Sequence, residues 1–328
     1  MKVLILRFSS IGDIVLTTPV VRCLKQQTGA EVHFLSKQAF ESILVSNPYI
    51  DRVFSFQKKI SEVLPVLQAE KYDLVIDLHR NLRSLWVRKR LGCPSYTFDK
   101  LNFEKWLLVN TGINRLPDVH IVQRYMEAVS TLGVEYDGKG LDFFIPEGSD
   151  WQNSSQADKI PAKPFIAFVL GATHATKRLP EEKIIDICSK LQQGVVLLGG
   201  TTESETGQRV ALAAGAHVVN LCGQLSLHAS ASVVRDAAMV LTHDTGLMHI
   251  AAAFHKNIVS IWGNTIPGFG MYPLYPTSMQ RNTSLEVTGL KCRPCSKIGY
   301  DRCPKGHFNC MQMIRTEQVI EQLSPQKP

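Results

Sequence analysis

The pattern that most limits what this chain can fold into is an alternation of short apolar runs with longer amphipathic segments. In the first half the apolar runs are KVLILRF, EVHFLS, RVFSF and DLVIDL, and in the second half they are FIAFVL, VVLLG, HVVNL, AMVLTH and NIVSIW. The intervening segments carry apolar residues at helical spacing. Because such alternation is typical of parallel sheets with helices on both faces, we predict an α/β protein with two Rossmann-like domains.

A polar, proline-containing stretch separates the two halves. Residues 142–164 contain three prolines, a composition typical of a linker. We therefore predict one domain over residues 1–155, a second over 156–310, and a C-terminal helix in 311–328 for which the first domain is a candidate packing surface. In open α/β sheets ligands bind beyond the carboxyl ends of the strands, so the expected binding site is a cleft between the domains.

The charge balance is modestly basic. Lys and Arg number 36 against 29 Asp and Glu, a net charge of +7, which favours an anionic substrate or membrane surface, with solubility alone as the alternative. The basic residues are not interleaved with aromatic residues as in nucleic-acid-binding modules, so no nucleic-acid partner is predicted. No apolar run approaches the ~20 residues that span a bilayer, and no secretory leader is recognisable, so we expect a cytoplasmic protein.

The segment LTHDTGLMHIAAA, residues 241–253, has the features of an anion-binding helix start. A strand is predicted to end at His243, with Asp244 or Thr245 capping a helix that opens at Gly246. The amide groups and dipole of a first helical turn attract anions, and His249 follows one turn later. The alternative is an ordinary capped helix after a strand.

Two further loops are predicted at the same edge of the second sheet. GATHATKRLP, residues 171–180, combines Thr173 in a small open loop with Lys177, whose ammonium suits a diphosphate; solvated charges are the alternative. LLGGTTESE places Glu203 after a strand, where a carboxylate often accepts hydrogen bonds from ribose hydroxyls, and the alternative is an acid in the first turn of a solvated helix. We expect these loops to face one ligand.

The opening LRFSSIGDIVLTTPV, residues 6–20, has the outline of a phosphate-binding turn without its G-x-G-x-x-G. An apolar strand leads into a loop of small residues, and a single acid, Asp13, stands where the chain enters its first helix. A carboxylate at such a point can serve as a general base. The alternative is an acid that only caps the helix.

Four motifs together resemble the lipopolysaccharide heptosyltransferases, the family-9 glycosyltransferases. They are SSIGDIVLTTP, KRLP, the GG turn with its following Glu, and HDTGLMHIAAA. The resemblance implies the GT-B fold and an inverting transfer of heptose from ADP-heptose to the inner core of lipopolysaccharide, on Kdo-lipid A, with peripheral contact to the cytoplasmic face of the inner membrane. The other hypotheses are a family-9 transferase using another nucleotide sugar and a non-catalytic nucleotide-sugar-binding protein.

The resemblance also implies roles for individual residues. Asp13 becomes the general base, and Lys177 binds the leaving diphosphate. The other donor-site residues are Thr173, Glu203, Asp244, Thr245, Gly246, Leu247 and His249. The chain departs from the family at Leu179, where Trp is common. Because the sequence contains no Asp-x-Asp, we predict that transfer needs no metal or other cofactor and that Lys177 and the helix start stabilise the leaving group.

Acceptor contacts are expected in the first domain. The basic segment DLHRNLRSLWVRKRLG, residues 77–92, offers guanidinium groups that suit carboxylates or phosphates, with a solvated basic helix as the alternative. Residues that form either a membrane contact or core follow it: Leu101, Phe103, Trp106, Leu107 and Leu108. The residues assigned to the acceptor, partly by resemblance, are Ser10, Gly12, Arg80, Arg83, His120 and Arg124.

Four of the eight cysteines crowd the C-terminal segment CRPCSKIGYDRCPKGHFNC. The first pair has C-x2-C spacing, which is usual for zinc ligands, whereas the second pair is spaced too widely for a second knuckle. A structural zinc site, reduced thiols and disulfides all stay open, with no part in transfer expected. The candidate ligands are Cys292, Cys295, Cys303 and Cys310.

Overall fold

The computed structural model describes residues 1–324. Its contacts divide the chain into two compact units: residues 1–101 with 118–144 form the first, and residues 102–117 with those from 145 onward form the second. Each unit contains one sheet, and every strand pairing in both sheets is parallel. The predicted α/β fold with parallel sheets is confirmed.

The sheet of the first unit has five strands in the order β3-β2-β1-β4-β5. Its central strands are almost wholly buried, as expected for a parallel sheet covered on both faces. The last strand is short and polar at the sheet edge, and the sequence analysis did not predict it. The strands are β1 (Lys2–Leu6), β2 (Glu31–Lys37), β3 (Arg52–Phe56), β4 (Leu74–Asp77) and β5 (Ser95–Thr97).

Helices of the first unit begin where the sequence supplies a cap or a proline. Asn81 caps the fourth helix by accepting a hydrogen bond from the amide of Ser84. The helical pattern around residues 60–67 is interrupted, because Pro65 fits only the first turn of a helix. The α-helices are α1 (Ile11–Val15), α2 (Thr18–Thr28), α3 (Leu64–Ala69), α4 (Leu82–Leu91) and α6 (Ile121–Glu127), and the 3₁₀ helices are Gln38–Ile43, Ile60–Glu62 and Ser130–Leu132.

The sheet of the second unit has six strands in the order β11-β10-β9-β6-β7-β8. Five of them coincide with the predicted apolar runs. The sixth, NTSLE, is an edge strand without the apolar pattern that would have revealed it. The strands are β6 (Phe165–Val169), β7 (Gly194–Leu198), β8 (Val218–Asn220), β9 (Met239–His243), β10 (Asn257–Trp262) and β11 (Asn282–Glu286).

The helices of the second unit cover its sheet and include one that comes from residues 102–117. The α-helices are α5 (Asn102–Thr111), α7 (Glu181–Lys190), α8 (Ser204–Ala214), α9 (Leu227–Asp236), α10 (Gly246–Ala253), α11 (Asn309–Gln312) and α12 (Thr316–Leu323). The 3₁₀ helices are Trp151–Asn153, Ala157–Lys159, Ala175–Lys177, Thr201–Glu203 and Pro267–Phe269. Among the described residues, none of these helices is long and apolar enough to cross a membrane.

The C-terminal helix α12 packs on the second unit. Val319 and Leu323 are buried in the same apolar cluster as Ile184 and Ile187 of α7. The sequence analysis had offered the first domain as a packing surface for residues 311–328. The described part of that segment instead buries its apolar face against the second sheet, where the amphipathic face of α7 lies beside it; residues 325–328 fall outside the described chain.

Candidate active site

Asp13 lies in α1, directly beyond the carboxyl end of β1. Ser10 donates twice to its Oδ2, from the hydroxyl at 2.8 Å and from the backbone amide at 3.2 Å. Its other oxygen, Oδ1, is 2.6 Å from a terminal nitrogen of Arg7, and the side chain remains 23% exposed. Asp13 is the third residue of a helix whose N-cap is Ser10. Its carboxylate is thus hydrogen-bonded to the N-cap residue and partly accessible to solvent.

Arg7 is buried, and its guanidinium is bonded on several sides. Nε donates to Ser9 O at 2.8 Å, and one terminal nitrogen donates to Leu78 O at 2.6 Å and to the Tyr125 hydroxyl at 3.0 Å. The other terminal nitrogen meets Asp13. A planar guanidinium fixed at so many points holds its carboxylate partner in one orientation.

The charges around Asp13 favour its ionised form. Burial alone would raise the pKa of Asp13, but the Arg7 guanidinium and the hydrogen bonds from Ser10 hold it below its usual range. Burial, followed by the charges of Arg7 and Lys100, lowers the pKa of His79 to about 3. His79 is therefore neutral at physiological pH, and Asp13 is an anion.

Asp77, at the end of β4, organises the start of the basic helix α4. Its buried carboxylate accepts hydrogen bonds from the amides of His79 and Arg80 and from the hydroxyl of Ser84 at 2.7–3.0 Å. Arg80 adopts a left-handed backbone with φ of 46°. This turn directs the chain from the strand into the helix at the same sheet edge as Asp13.

The predicted acceptor residues differ in how free they are. Arg80 is bonded to Phe98 O at 2.7 Å and to Asp99 at 2.8 Å. Arg83 is exposed and lies over the ring of Phe8, 6.0 Å from its centroid. Arg83 thus has the more open guanidinium of the two.

The other four residues assigned to the acceptor lie in α1 and α6 or at their N-caps. Gly12 is buried inside α1, whereas Ser10 is exposed. His120 caps α6 by accepting from the amide of Val122 at 3.2 Å. His120 and Arg124 are 2% and 3% exposed, so little of either side chain is accessible to a ligand.

In the second unit, Lys177 is paired with Asp244. The ammonium nitrogen of Lys177 is 2.6 Å from Asp244 Oδ2, and the same oxygen accepts from the Thr265 hydroxyl at 2.9 Å. Asp244 follows β9 directly, and Thr265 follows β10, so parallel neighbours bring them together. The sequence analysis placed Asp244 or Thr245 as the helix cap; Thr245 holds the N-cap position without a side-chain hydrogen bond, and Asp244 binds Lys177 instead.

Helix α10 begins at Gly246, as predicted from the sequence. Gly246 and Leu247, in the first turn, are half-buried, whereas His249, one turn on, is only 2% exposed. The side chain of His249 thus belongs mainly to the interior of the unit. A helix start beside an ammonium group is an arrangement that suits a diphosphate.

Glu203 ties two loops of the same edge together. It accepts hydrogen bonds from the Gly200 amide, the Thr202 hydroxyl and Arg178 at 2.8–2.9 Å. Thr173, on the neighbouring loop, is exposed. Glu203 is 7% exposed, so its carboxylate is engaged by protein donors.

Leu179 is a core residue. Its side chain is 4% exposed within the main apolar cluster of the second unit, and its amide donates to His243 Nε2 at 3.1 Å. Burial, followed by the charge of Arg178, lowers the pKa of His243 to about 4. A neutral His243 at the end of β9 therefore anchors the loop that carries Lys177.

The four C-terminal cysteines lie close enough to affect one another electrostatically. All four are free thiols, and Cys292 Sγ is 3.7 Å from His307 Nε2. Burial, followed by neighbouring thiols, raises the pKa of Cys295 and brings that of Cys310 to about 11. Across residues 1–324, their sulfur atoms do not form a group of three within 4.8 Å, so the thiols converge without closing a tetrahedral site.

A group of three metal-ligand side chains does exist at the opposite end of the first sheet. Glu31, His33 and Glu70 bring ligand atoms within 4.8 Å of one another. The ammonium of Lys2 is 3.4 Å from Glu31 and 2.8 Å from Glu70. The group is an ion-pair network that already contains its cation.

Several residues that hold these side chains were not predicted from the sequence. Arg7 was read as the end of an apolar strand, although a charge directly after a buried strand is a recognisable signal for the sheet edge. Asp77 carried the same signal. Thr265 and His243 act through contacts with distant segments, and nothing in their local sequence announces those contacts.

Comparisons with known proteins agree with the family resemblance that the sequence motifs indicate. The profile of Glycosyltransferase family 9 (heptosyltransferase) matches residues 62–300, which is most of the chain. The chain belongs to this family and is a glycosyltransferase. The family match includes Lys177 and Asp244 but begins after Asp13, so the role of Asp13 depends on its own motif and geometry.

Two solved structures and one sequence relative extend over nearly the whole chain of this family-9 protein. Lipopolysaccharide heptosyltransferase 1 of Pseudomonas aeruginosa is 28% identical and covers 100% of this chain and 96% of its own. The structure of E. coli ADP-heptose LPS heptosyltransferase II has a TM-score of 0.74 at 20% identity, over 98% and 97% of the two chains. E. coli heptosyltransferase WaaC with ADP has a TM-score of 0.66 at 21% identity, over 98% and 99%.

Proposed function

We propose that the chain is an inverting heptosyltransferase that moves heptose from ADP-heptose to the Kdo-lipid A inner core of lipopolysaccharide. The observation that carries the donor half is the Lys177–Asp244 pair at the start of α10. An ammonium group beside a helix N-terminus suits a diphosphate leaving group. The names of the relatives supply the sugar and the nucleotide: one of them is an ADP-heptose LPS heptosyltransferase, and another has ADP bound.

The proposed reaction uses Asp13 as the general base. The acceptor hydroxyl oxygen attacks the anomeric carbon of the sugar, the bond from that carbon to the diphosphate oxygen breaks, and ADP departs with the electron pair. The hydroxyl proton passes to the Asp13 carboxylate. Because attack and departure occur on opposite faces of the carbon, the anomeric configuration inverts.

The leaving group is stabilised without a divalent metal in this proposal. Lys177 and the first turn of α10 provide the positive potential that an Asp-x-Asp-bound metal supplies in other transferases. Transfer should therefore persist in excess EDTA. Activity that EDTA abolishes and magnesium restores would refute this part of the proposal.

The decisive experiment is a donor screen with the purified protein and Kdo-lipid A as acceptor. We expect ADP release from ADP-heptose to be much faster than nucleotide release from ADP-glucose or UDP-sugars. Turnover of a different nucleotide sugar would instead support the second family-9 hypothesis. Binding of ADP without turnover of any donor would support a binding protein that has lost catalysis.

Two basic side chains of the first unit suit an anionic acceptor. Arg83 has an exposed guanidinium, and Lys100 lies close enough to Arg7 that its pKa is lowered, first by burial and then by that charge. We propose that Arg83 contacts a carboxylate or phosphate of the acceptor. Arg80 is less suited to this contact because it is ion-paired with Asp99. An Arg83→Gln variant should raise KM for Kdo-lipid A while leaving ADP binding unchanged.

We also propose that α5 contacts the inner membrane on its cytoplasmic face. Phe103 and Trp106 are 63% and 55% exposed, and their rings stack with centroids 6.3 Å apart. Aromatic side chains of this kind are favoured at lipid headgroups. Co-sedimentation with anionic vesicles should fall in a Phe103→Ser/Trp106→Ser variant, and unchanged sedimentation would exclude this contact.

For the cysteines, we propose a structural metal ion held by Cys292, Cys295, Cys303 and Cys310, with reduced unliganded thiols as the alternative. Four thiolates are a donor set for zinc or iron. Burial of two of the thiols raises their pKa, so protons and metal compete for them. Metal analysis of the purified protein distinguishes the two states, since one equivalent of zinc or iron is expected only in the first.

A further inference from the structure

The cysteine segment, residues 292–310, contacts the loop that carries Lys177. The Thr176 amide donates to Tyr300 O at 3.1 Å, and the Tyr300 amide donates to the Thr176 hydroxyl oxygen at 2.9 Å. The Thr176 hydroxyl is also 3.1 Å from Tyr300 O, to which it can donate. Thr176 is 2% exposed and directly precedes Lys177, so the segment holds the backbone of the Lys177 loop through a buried pairing.

Two glycines permit this close contact. At Gly299, with φ of +130°, a Cβ atom would lie 2.5 Å from Cβ of His174. At Gly263, a Cβ atom would lie 2.6 Å from Thr176 O and 2.6 Å from Cε of Met311. Separations below 3.0 Å are shorter than any side chain tolerates, so both segments approach the Lys177 loop only because glycine stands there.

A second contact reaches Asp244. Arg293 lies between the first two cysteines, and its side chain is 7% exposed. Its guanidinium donates to Gly263 O at 2.5 Å and to Thr265 O at 2.9 Å, and it pairs with Glu286 at 2.6 Å. Thr265 in turn donates its hydroxyl to Asp244, the partner of Lys177.

We propose that the cysteine segment is a brace for the donor site, in which Arg293 and Thr176 are positioning residues for Asp244 and Lys177. The inference rests on the proposed role of Lys177 in binding the diphosphate. Tyr300 fixes the loop before Lys177, and Arg293 fixes the Gly263–Thr265 turn that holds Asp244. Because Glu286 compensates the charge of Arg293, the contribution of this guanidinium is geometric rather than electrostatic.

Through the brace, the folding of the cysteine segment affects donor binding although no cysteine contacts the donor. Folding of residues 292–310 determines the positions of Arg293 and Tyr300. These two residues in turn position Asp244 and Lys177. Loss of order in this segment should therefore weaken donor binding without any thiol touching the donor. A structural contribution to folding alone would lower thermal stability and affect donor and acceptor kinetics alike.

Thr176→Val is the sharpest test. Valine keeps the shape of threonine and leaves the Thr176 amide bonded to Tyr300 O, but it removes the hydroxyl that the Tyr300 amide donates to. We expect KM for ADP-heptose and Kd for ADP to rise about tenfold, below the ~100-fold that a 1 Å misplacement can cost, with KM for Kdo-lipid A unchanged. Thr283→Val is the matched control, since the Thr283 hydroxyl donates to Gln322 at 3.3 Å, on β11 and away from the Lys177 loop.

Arg293→Lys and Arg293→Met extend the test. Lysine keeps the charge but cannot span the carbonyls of Gly263 and Thr265 together, so we expect both variants to weaken ADP binding, methionine more strongly. Arg209→Met is the control, because Arg209 bonds to Glu181 and Thr206 on the surface. Thermal unfolding of each variant identifies any protein that has failed to fold.

The outcomes separate the brace from the proposed function. Donor parameters of folded Thr176→Val and Arg293→Lys that equal those of their controls would overturn the brace, and so would equal losses on the donor and acceptor sides. A Lys177→Met variant in the same series tests the donor role of Lys177, on which the brace rests. If Lys177→Met retains wild-type ADP affinity and turnover, that role fails, whatever the brace variants show, whereas the proposed function fails only if the wild-type protein does not turn over ADP-heptose.

Discussion

The two charged residues proposed for transfer are held in arrangements that mirror each other. In the first unit a carboxylate, Asp13, is bonded by one cation, Arg7, and one hydroxyl, that of Ser10. In the second unit a carboxylate, Asp244, is likewise bonded by one cation, Lys177, and one hydroxyl, that of Thr265. The proposed roles differ, because the carboxylate is the proposed base in the first pair and the cation is the proposed diphosphate-binding group in the second.

The supports of these two pairs also differ. Arg7 lies six residues before Asp13 and is fixed by carbonyls and a tyrosine hydroxyl of its own unit. Lys177 and Asp244 are 67 residues apart, and each depends on a further segment for its placement. We therefore expect the geometry of the Arg7–Asp13 pair to be insensitive to distant segments. The geometry of the Lys177–Asp244 pair should instead depend on whether each supporting segment is folded.

Asp13→Asn should produce the largest effect. It tests whether the Arg7–Asp13 pair contributes to the transfer step and not to nucleotide binding. Asparagine keeps the shape but cannot accept the hydroxyl proton, so we expect kcat to fall by about 10²–10⁴-fold, with Kd for ADP within twofold of wild type. Steady-state kinetics and calorimetric ADP titration provide the two readings. Asp51→Asn is the control, because Asp51 is also ion-paired, with Lys25, and has a lowered pKa. Parallel loss of ADP binding would make Asp13 structural.

Lys177→Met should have the next largest effect and tests the second pair. Removal of the ammonium takes away leaving-group stabilisation, for which loss of a single donor costs on the order of 10²-fold in kcat. It also leaves Asp244 facing the diphosphate without its cation, so ADP binding should weaken as well. Lys190→Met, which removes an exposed ion pair with Asp186, is the comparison variant. For Asp13→Asn we expect a loss confined to kcat. If Lys177→Met also lost only kcat and kept its ADP affinity, the predicted contrast between the two pairs would be wrong.

The same contrast explains how much the sequence revealed. The strand-to-loop transitions at Asp13 and Lys177 were predicted because each follows an apolar run, and Ser10 lies within the same motif. Asp244 was predicted as a donor residue, but its pairing with Lys177 was not, since that contact depends on the order of β6 and β9 in the sheet. The edge strands β5 and β11 escaped prediction for a related reason: they are stabilised by one neighbouring strand and carry no apolar pattern of their own.

Arg7→Lys should shift the pH dependence and tests how firmly the local pair sets the charge of Asp13. A lowered pKa keeps Asp13 ionised to a lower pH than an ordinary Asp, at ~3.9. The weaker lysine contact should raise the pKa and move the acid limb of kcat/KM upward. Since a lowered folded-state pKa stabilises the protein above the unfolded pKa, the stability deficit of the variant should shrink as pH falls through the folded value. An unmoved acid limb in a folded variant would show that Arg7 does not control Asp13.

The two hydroxyls provide the smallest and most symmetrical comparison. Ser10→Ala and Thr265→Val each remove one hydrogen bond to a carboxylate, a loss of about 1–1.4 kcal/mol, or roughly five- to tenfold. Because Asp13 is the proposed base, Ser10→Ala should lower kcat several-fold and leave ADP affinity unchanged. Because Asp244 acts through Lys177, Thr265→Val should instead weaken ADP binding several-fold, which a fluorescence titration with an ADP analogue can resolve. If both variants changed the same parameter, the two pairs would share one task, and the division between an acid that accepts a proton and a cation that holds the nucleotide would be untenable.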